Sequence, residues 1–154
     1  MGLTEIEECY VKHGDALVRF AASMVGPADA EDLVAAVMTR LLDQPDRPIL
    51  NLDAYGCRGV ANAARQHWRG MDRRLRRDVS GLVAERFEHH EFIPEVARAI
   101  GRLSPQQRAV IHLTYWEDLT PTVVAARLGV GEGTVRRQLA RACHKLAEVL
   151  KDVR

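Results

Sequence analysis

The residues best equipped for chemistry are arginines. Thr134, Arg136, Arg137, Gln138, Arg141 and Lys145 crowd one short stretch, and Glu132 is the sole acid between positions 132 and 145. Planar guanidinium forks match phosphate oxygens and the guanine edge of a base pair. A second concentration lies upstream. Arg58, Arg65, Arg69, Arg73, Arg74, Arg76 and Arg77 are opposed there only by Asp72. Bond-making sets are poorly represented. Cys9, Cys57 and Cys143 are far apart and form no Cys-x-x-Cys pair, so neither a zinc knuckle nor a disulfide framework is indicated. His89 and His90, flanked by Glu88 and Glu91, fit no three-ligand metal spacing that the chain completes, so no metal and no cofactor are expected. The chemistry on offer is non-covalent recognition of a polyanion.

The first arginine set is positioned by a recognisable local pattern. Thr120 suits an N-cap and Pro121 the first helical position, where a missing N–H costs nothing. A helix follows to about Leu128, with Val124, Ala125 and Leu128 on one face. Gly129-Val130-Gly131 supplies a turn, and a second helix starts near Glu132 with Val135, Leu139, Ala142, Leu146 and Val149 inward. This is a helix-turn-helix whose second helix suits the major groove of DNA. Ser104-Pro105-Gln106-Gln107 combines an N-cap, a proline at the first position and a capping-box glutamine. It opens a supporting helix with Val110, Ile111 and Tyr115, preceded by a helix from Pro94.

Bulk charge says little, because 22 Lys and Arg balance 21 Asp and Glu for a net charge of +1. Its distribution says more. Up to Asp53 the acids dominate; the middle is basic; Glu85, Glu88, Glu91 and Glu95 form an acidic joint; the end is basic again. Two basic surfaces separated by an acidic segment suit two contacts with one polyanion. No leader-like segment or membrane-length apolar run is read, so a soluble, cytoplasmic protein with reduced thiols is expected.

Thr4 to Glu7 reads as a capping box opening a helix with Ile6, Tyr10, Leu17, Phe20, Ala21 and Met24 on one face. Gly26-Pro27 ends it, and Asp29 is expected to cap a second helix. There Leu33, Val34, Val37, Met38, Leu41 and Leu42 make a wide apolar stripe. Pro45 and Pro48 bracket a loop. A third helix is expected from Asn51 to about Arg77, with Tyr55, Val60, Ala61, Ala64, Trp68, Met71 and Leu75 inward. Arg58, Asn62, Arg65, Gln66 and Arg69 fall on a wetter face, suited to melted or single-stranded nucleic acid, with Trp68 open to either stacking or core packing. The expectation is an all-α chain of two small helical domains, residues 1–78 and 94–154, joined by a solvated linker over 79–93.

These residues carry a family resemblance. Leu103 to Arg108, Asp118-Leu119-Thr120, Ala125, Leu128-Gly129-Val130, Gly133-Thr134-Val135 and Arg141-Ala142 closely resemble the fourth conserved region of sigma factors. Asp29 to Val34, Ala54-Tyr55, Val60-Ala61-Asn62 and Arg69 resemble the second. Two regions in this order resemble an extracytoplasmic-function (ECF), group 4, sigma factor over roughly residues 7–77 and 94–150.

The resemblance implies that the chain joins core RNA polymerase, through its clamp helices and flap, and takes it to promoter DNA. It implies core docking by Asp32, Leu33, Ala36 and Arg40. Arg58, Asn62, Arg65 and Arg69 would read the minus-ten element. Thr134, Arg136, Arg137, Arg141 and Lys145 would read the minus-thirty-five element. It also implies an anti-sigma protein as partner and no catalysis of its own. The chain departs from the family where Ala35-Ala36 replace Gln-Glu and where Gln66, Val123 and Gly131 stand at motif positions. A stand-alone helix-turn-helix regulator with the same fold is therefore the competing expectation; a metal-dependent hydrolase using His89 and His90 is a third.

Overall fold

The computed structural model describes residues 3–44, 52–88 and 94–151. These residues form α1 (Leu3–Val25), α2 (Pro27–Leu42), α3 (Leu52–Arg69), α4 (Arg73–Glu88), α5 (Pro94–Arg102), α6 (Pro105–Ile111), a π-helical turn (His112–Trp116), α7 (Pro121–Leu128) and α8 (Glu132–Lys151). The fold is all-α, and no strand occurs among the described residues.

The corner between α1 and α2 depends on Gly26. Its φ of 88° with ψ of 163° lies in a region essentially closed to side chains, and Pro27 follows at the first helical position. Asp29 is thus inside α2 rather than its cap. Its carboxylate instead meets His67 of α3 at 3.2 Å. Likewise α1 already includes Leu3, so Thr4 does not cap it. Tyr10, Leu42 and Leu75, expected inward, are exposed, as is Tyr115.

The expected third helix is two helices. Gly70, Met71 and Asp72 interrupt it, and Asp72 then caps α4 by accepting the Leu75 N–H on its Oδ1 at 2.8 Å. The expected linker is helical as far as Glu88 and buries Val79 and Val83 against Ala97 and Ile100 of α5, with Trp68 and Leu146 at the margin. Residues 89–93, including His89 and His90, lie outside the described residues. Trp68 packs rather than stacks in the open: the Arg108 guanidinium sits 4.8 Å from its ring centroid and that of Arg76 at 5.9 Å.

One continuous core runs from α1, α2 and α3 into the C-terminal half. Phe20, Met24, Val37, Val60 and Ala64 share it with Ala109, Val110, Leu113, Val124, Leu128 and Val135. The two helical units therefore meet along an apolar face. Polar contacts reinforce it. Arg127 of α7 reaches Asp53 of α3 at 2.8 Å, with His13 of α1 3.6 Å away on the same carboxylate.

Candidate nucleic-acid interface

The helix-turn-helix is built as its sequence indicates. Thr120 accepts the Val123 N–H on its hydroxyl, Pro121 opens α7, and Gly129 ends it in the left-handed region at φ 67°. The Val130 N–H returns to the Ala125 carbonyl at 3.1 Å, closing the turn. At the start of α8 the Thr122 hydroxyl donates to Glu132, which also pairs with Arg136 at 2.8 Å. The bond from Arg136, followed by that from Thr122, holds the Glu132 carboxyl below its usual pKa. The carboxylate thus ties the two helices together at the positive end of the α8 dipole. Val135 and Ala142 are buried, which turns the opposite face outward.

On that outward face Arg136, Arg137 and Arg141 are exposed. Arg137 donates to Thr134 at 3.4 Å, a contact that orients rather than neutralises it. Arg141 makes no hydrogen bond or ion pair among the described residues. Lys145 points elsewhere. Its ammonium donates to the Gln107 side-chain oxygen at 3.0 Å, the same atom that accepts the Ser104 N–H in the α6 capping box. Lys145 thus braces α8 on α6, away from the arginine ridge.

The second basic face lies on α3. Asn62 and Arg69 are exposed, and Asn62 accepts a hydrogen bond from Arg65, which orders the pair. A groove of about 290 Å³ between α2 and α3 is lined by Val37, Arg40, Tyr55, Arg58, Gly59 and Asn62. An aromatic ring, an amide and two guanidinium groups meet there, the set that suits an unstacked base. Arg58 is not wholly available to it. Its Nη2 donates to the Ala126 carbonyl of α7 at 3.2 Å, and its guanidinium lies directly over Gly129. A Cβ at Gly129 would collide with that guanidinium, so the turn glycine serves both the backbone and the packing of α3. Arg65 lies at the same junction, beside Leu128 and Val130.

The front of α2 carries the expected docking set unevenly. Asp32, Ala36 and Arg40 are exposed at four-residue spacing and share one stripe. Leu33 does not join it, being 9% exposed and part of the core. The stripe therefore continues from Asp32 to Ala36 without an apolar member of larger size.

Arg108, which the sequence marked only as the end of the Leu103 to Arg108 motif, has a buried role that its pattern did not indicate. It is 1% exposed, and no carboxylate pairs with it among the described residues. Its Nη1 donates to Leu103 at 2.6 Å and to Gly101 at 3.2 Å, and its Nη2 to the carbonyl of Met24. It therefore clasps the last turn of α5 to the last turn of α1, satisfying carbonyls that helix ends leave unpaired. Burial pushes its pKa down to about 10, still well above neutrality, so it stays charged. The one signal in the sequence was an arginine followed by the apolar run Ala109-Val110-Ile111.

No group of three or more His, Cys, Asp or Glu among the described residues is placed to hold a metal ion. No described helix is long and apolar enough to cross a membrane. Cys9 and Cys57 are buried free thiols and Cys143 is half-buried.

A helix-turn-helix with an arginine ridge is joined to a second helical unit with its own basic, amide-bearing face, which defines the class as an all-helical protein built around a helix-turn-helix. The family models for sigma-70 region 2 and sigma-70 region 4 match residues 9–74 and 99–148. The chain is 31% identical to the RNA polymerase sigma-E factor of Streptomyces antibioticus over 157 residues, covering 96% of this chain and 85% of that protein. The sigma-E factor of Streptomyces avermitilis is 32% identical, with 96% and 86% covered. The ECF RNA polymerase sigma factor SigL of Mycobacterium tuberculosis is 26% identical, with 94% and 88% covered. Among solved structures, the sigma factor RpoE of Bartonella quintana, in complex with the anti-sigma factor NepR, has the same fold. Its TM-score is 0.66 at 24% identity, over 99% of this chain and 100% of that one. The chain belongs to the sigma-70 family, as an ECF-type RNA polymerase sigma factor with regions 2 and 4. It directs core polymerase to specific promoters for initiation.

Proposed function

We propose that the exposed arginine ridge of α8 reads the minus-thirty-five element, with Arg136, Arg137 and Arg141 in the major groove and Thr134 beside them. The observation that carries this is Arg141, exposed and unpaired on the outward face of the second helix of the helix-turn-helix. The groove between α2 and α3 receives the melted minus-ten strand, with Asn62 ordered by Arg65 as the edge reader and Arg58 and Arg69 on phosphates. Asp32, Ala36 and Arg40 meet the clamp helices of polymerase. Lys145, bonded to Gln107, and Leu33, in the core, hold α8 and α2 in place. The protein works in the cytoplasm and carries no catalytic centre; the bond chemistry belongs to polymerase.

Because Arg58 is bonded to α7, full use of the minus-ten face requires α3 and α7 to part. The parting runs between α3 and α4, inside the expected 1–78 unit, so that α4 travels with α5, with which it shares a core. An anti-sigma protein is the partner expected to hold the closed arrangement, as the Bartonella relative was solved with one. Exposed Tyr10 and Val11 on α1 and Leu75 and Leu82 on α4 provide apolar surface for it.

The test is run-off transcription with core polymerase on promoters found by sequencing transcripts after forced expression. Arg141→Ala is expected to lower promoter-specific transcripts by roughly 5- to 150-fold, the equivalent of about 1–3 kcal/mol for a lost base contact. Asn62→Ala is expected to impair opening while core binding survives. Loss of core binding by Asn62→Ala, or unchanged transcription by Arg141→Ala, would show that the faces are misassigned. DNA binding without any capture of core polymerase would instead favour a stand-alone regulator.

A further inference from the structure

Four arginines that neither recognition face uses converge on one groove. Arg76 and Arg77 of α4 and Arg98 and Arg102 of α5 line a depression of about 400 Å³ together with Ser80, Gly81 and Gly101. No acid lines it. Glu95 touches it only through Arg98, at 3.8 Å between two exposed side chains. Arg102 is exposed and makes no hydrogen bond or ion pair among the described residues, and Arg77 makes only a 3.5 Å contact with the Arg73 carbonyl. Arg76 is oriented by its bond to the Trp68 carbonyl at 3.2 Å. A Cβ at Gly81 would meet nothing within 4 Å, so the groove is open on that side. Like charges held this close repel each other unless an anion sits among them.

The lining also excludes some ligands. Among the described residues it has no aromatic ring to stack on a base and no Asn or Gln to read one. Its chemistry suits an anionic oxyacid group such as a phosphate. Its place in the fold decides the source. Through Trp68 the groove adjoins the end of α3, and through Leu146 the same small core reaches α8. The groove therefore lies on the connector between the two DNA-reading helices. Because α4 and α5 share that core, it survives separation of the two halves.

We propose that this groove is a third, sequence-independent contact, gripping the phosphodiester backbone of promoter DNA between the two recognised elements. The inference rests on the promoter-reading assignment above. It differs in kind, since it predicts affinity without base preference.

The test is a salt titration of the full chain on a labelled duplex of arbitrary sequence, comparing the unmodified chain with Arg98→Gln/Arg102→Gln. Both arginines are exposed on α5, so the fold should hold, and helical circular dichroism checks this. Lys12→Gln/Arg19→Gln, on the exposed side of α1, removes the same charge elsewhere. Each phosphate contact contributes about 0.9 to the slope of log affinity against log salt. The groove variant is expected to have a slope shallower by roughly 2. Its affinity loss across a fourfold rise in salt should then be about tenfold smaller than that of the unmodified chain. The control variant is expected to keep the original slope. An unchanged slope in the groove variant, an equal change in the control, or no duplex binding by the unmodified chain at the lowest salt would overturn the proposal. Saturable binding of inorganic pyrophosphate that depends on Arg102, with the duplex slope untouched, would move the ligand to a free phosphate and also overturn it. Failure of the promoter-reading assignment shows separately, as absence of specific start sites with core polymerase.

Discussion

Replacing Arg108 by Met tests how the two halves are held. The methionine keeps length and contact with Trp68 but removes the charge and its donors. Two terms oppose each other. Burial lowers the arginine pKa to about 10, a drop that corresponds to about 3 kcal/mol of unfavourable desolvation that the methionine avoids. Against this, the carbonyls of Met24, Gly101 and Leu103 lose their donor. Each buried carbonyl left unsatisfied costs about 1–3 kcal/mol, or on the order of 5 kcal/mol together. The net expectation is a destabilisation of about 2 kcal/mol. Equilibrium urea unfolding measures it as a midpoint lower by about 1 M at slopes typical of small proteins. Because Met24 lies in α1 and the other two carbonyls in the C-terminal half, coupling should suffer as well. The unmodified chain should unfold in one step and the variant in two. A midpoint equal to or above that of the unmodified chain would refute the reasoning, since desolvation would then outweigh the three bonds.

Arg127→Ala removes the 2.8 Å bridge to Asp53, whose side chains are 28% and 22% exposed, so a loss of about 1 kcal/mol is expected. Small-angle scattering should show an expanded chain, and an unchanged radius would count against this bridge as part of the closed contact. Gly129→Ala forces a side chain into φ 67° beneath Arg58, and a melting temperature lower by roughly 2–8 °C is expected from about 1–2 kcal/mol. An unaltered melting temperature would mean that the turn relaxes freely. For the thiols, burial pushes Cys57 up to about 12 and raises Cys9 more modestly. The folded state then holds protons that the unfolded state releases above an ordinary thiol value of 9.0, so stability should fall as pH rises from 9 towards 12. Alkylation near neutral pH should label half-buried Cys143 first, and equal labelling of all three thiols would contradict the burial.

Local rules made the helix-turn-helix legible. Thr120, Pro121, Ser104 and Gln107 satisfy backbone groups within their own turn, and Gly129 takes a left-handed conformation that side chains disfavour, so neighbours in sequence suffice to place them. The apolar spacing of α2 and α8 was legible for the same reason. The break between α3 and α4 was less so. Gly70 and Asp72 signal it, but the arginines on either side read as one continuous basic helix. Helix over Arg73–Glu88 in place of a solvated linker depended on α5 arriving to cover Val79 and Val83, which are too few apolar residues to declare a core alone.

Residue type and period thus determined an all-helical chain, a helix-turn-helix and two basic faces, because each of these follows from contacts between residues close in sequence. Pairings between distant segments were decided only by the tertiary structure. It set Arg58 against Ala126, Asp53 against Arg127, and Lys145 against Gln107, and it buried Arg108 among the carbonyls of two helix ends. The physical reason is that an arginine side chain is long, flexible and equally at home on phosphate, carboxylate or carbonyl oxygen. Which of these it meets depends on what the rest of the chain brings within reach.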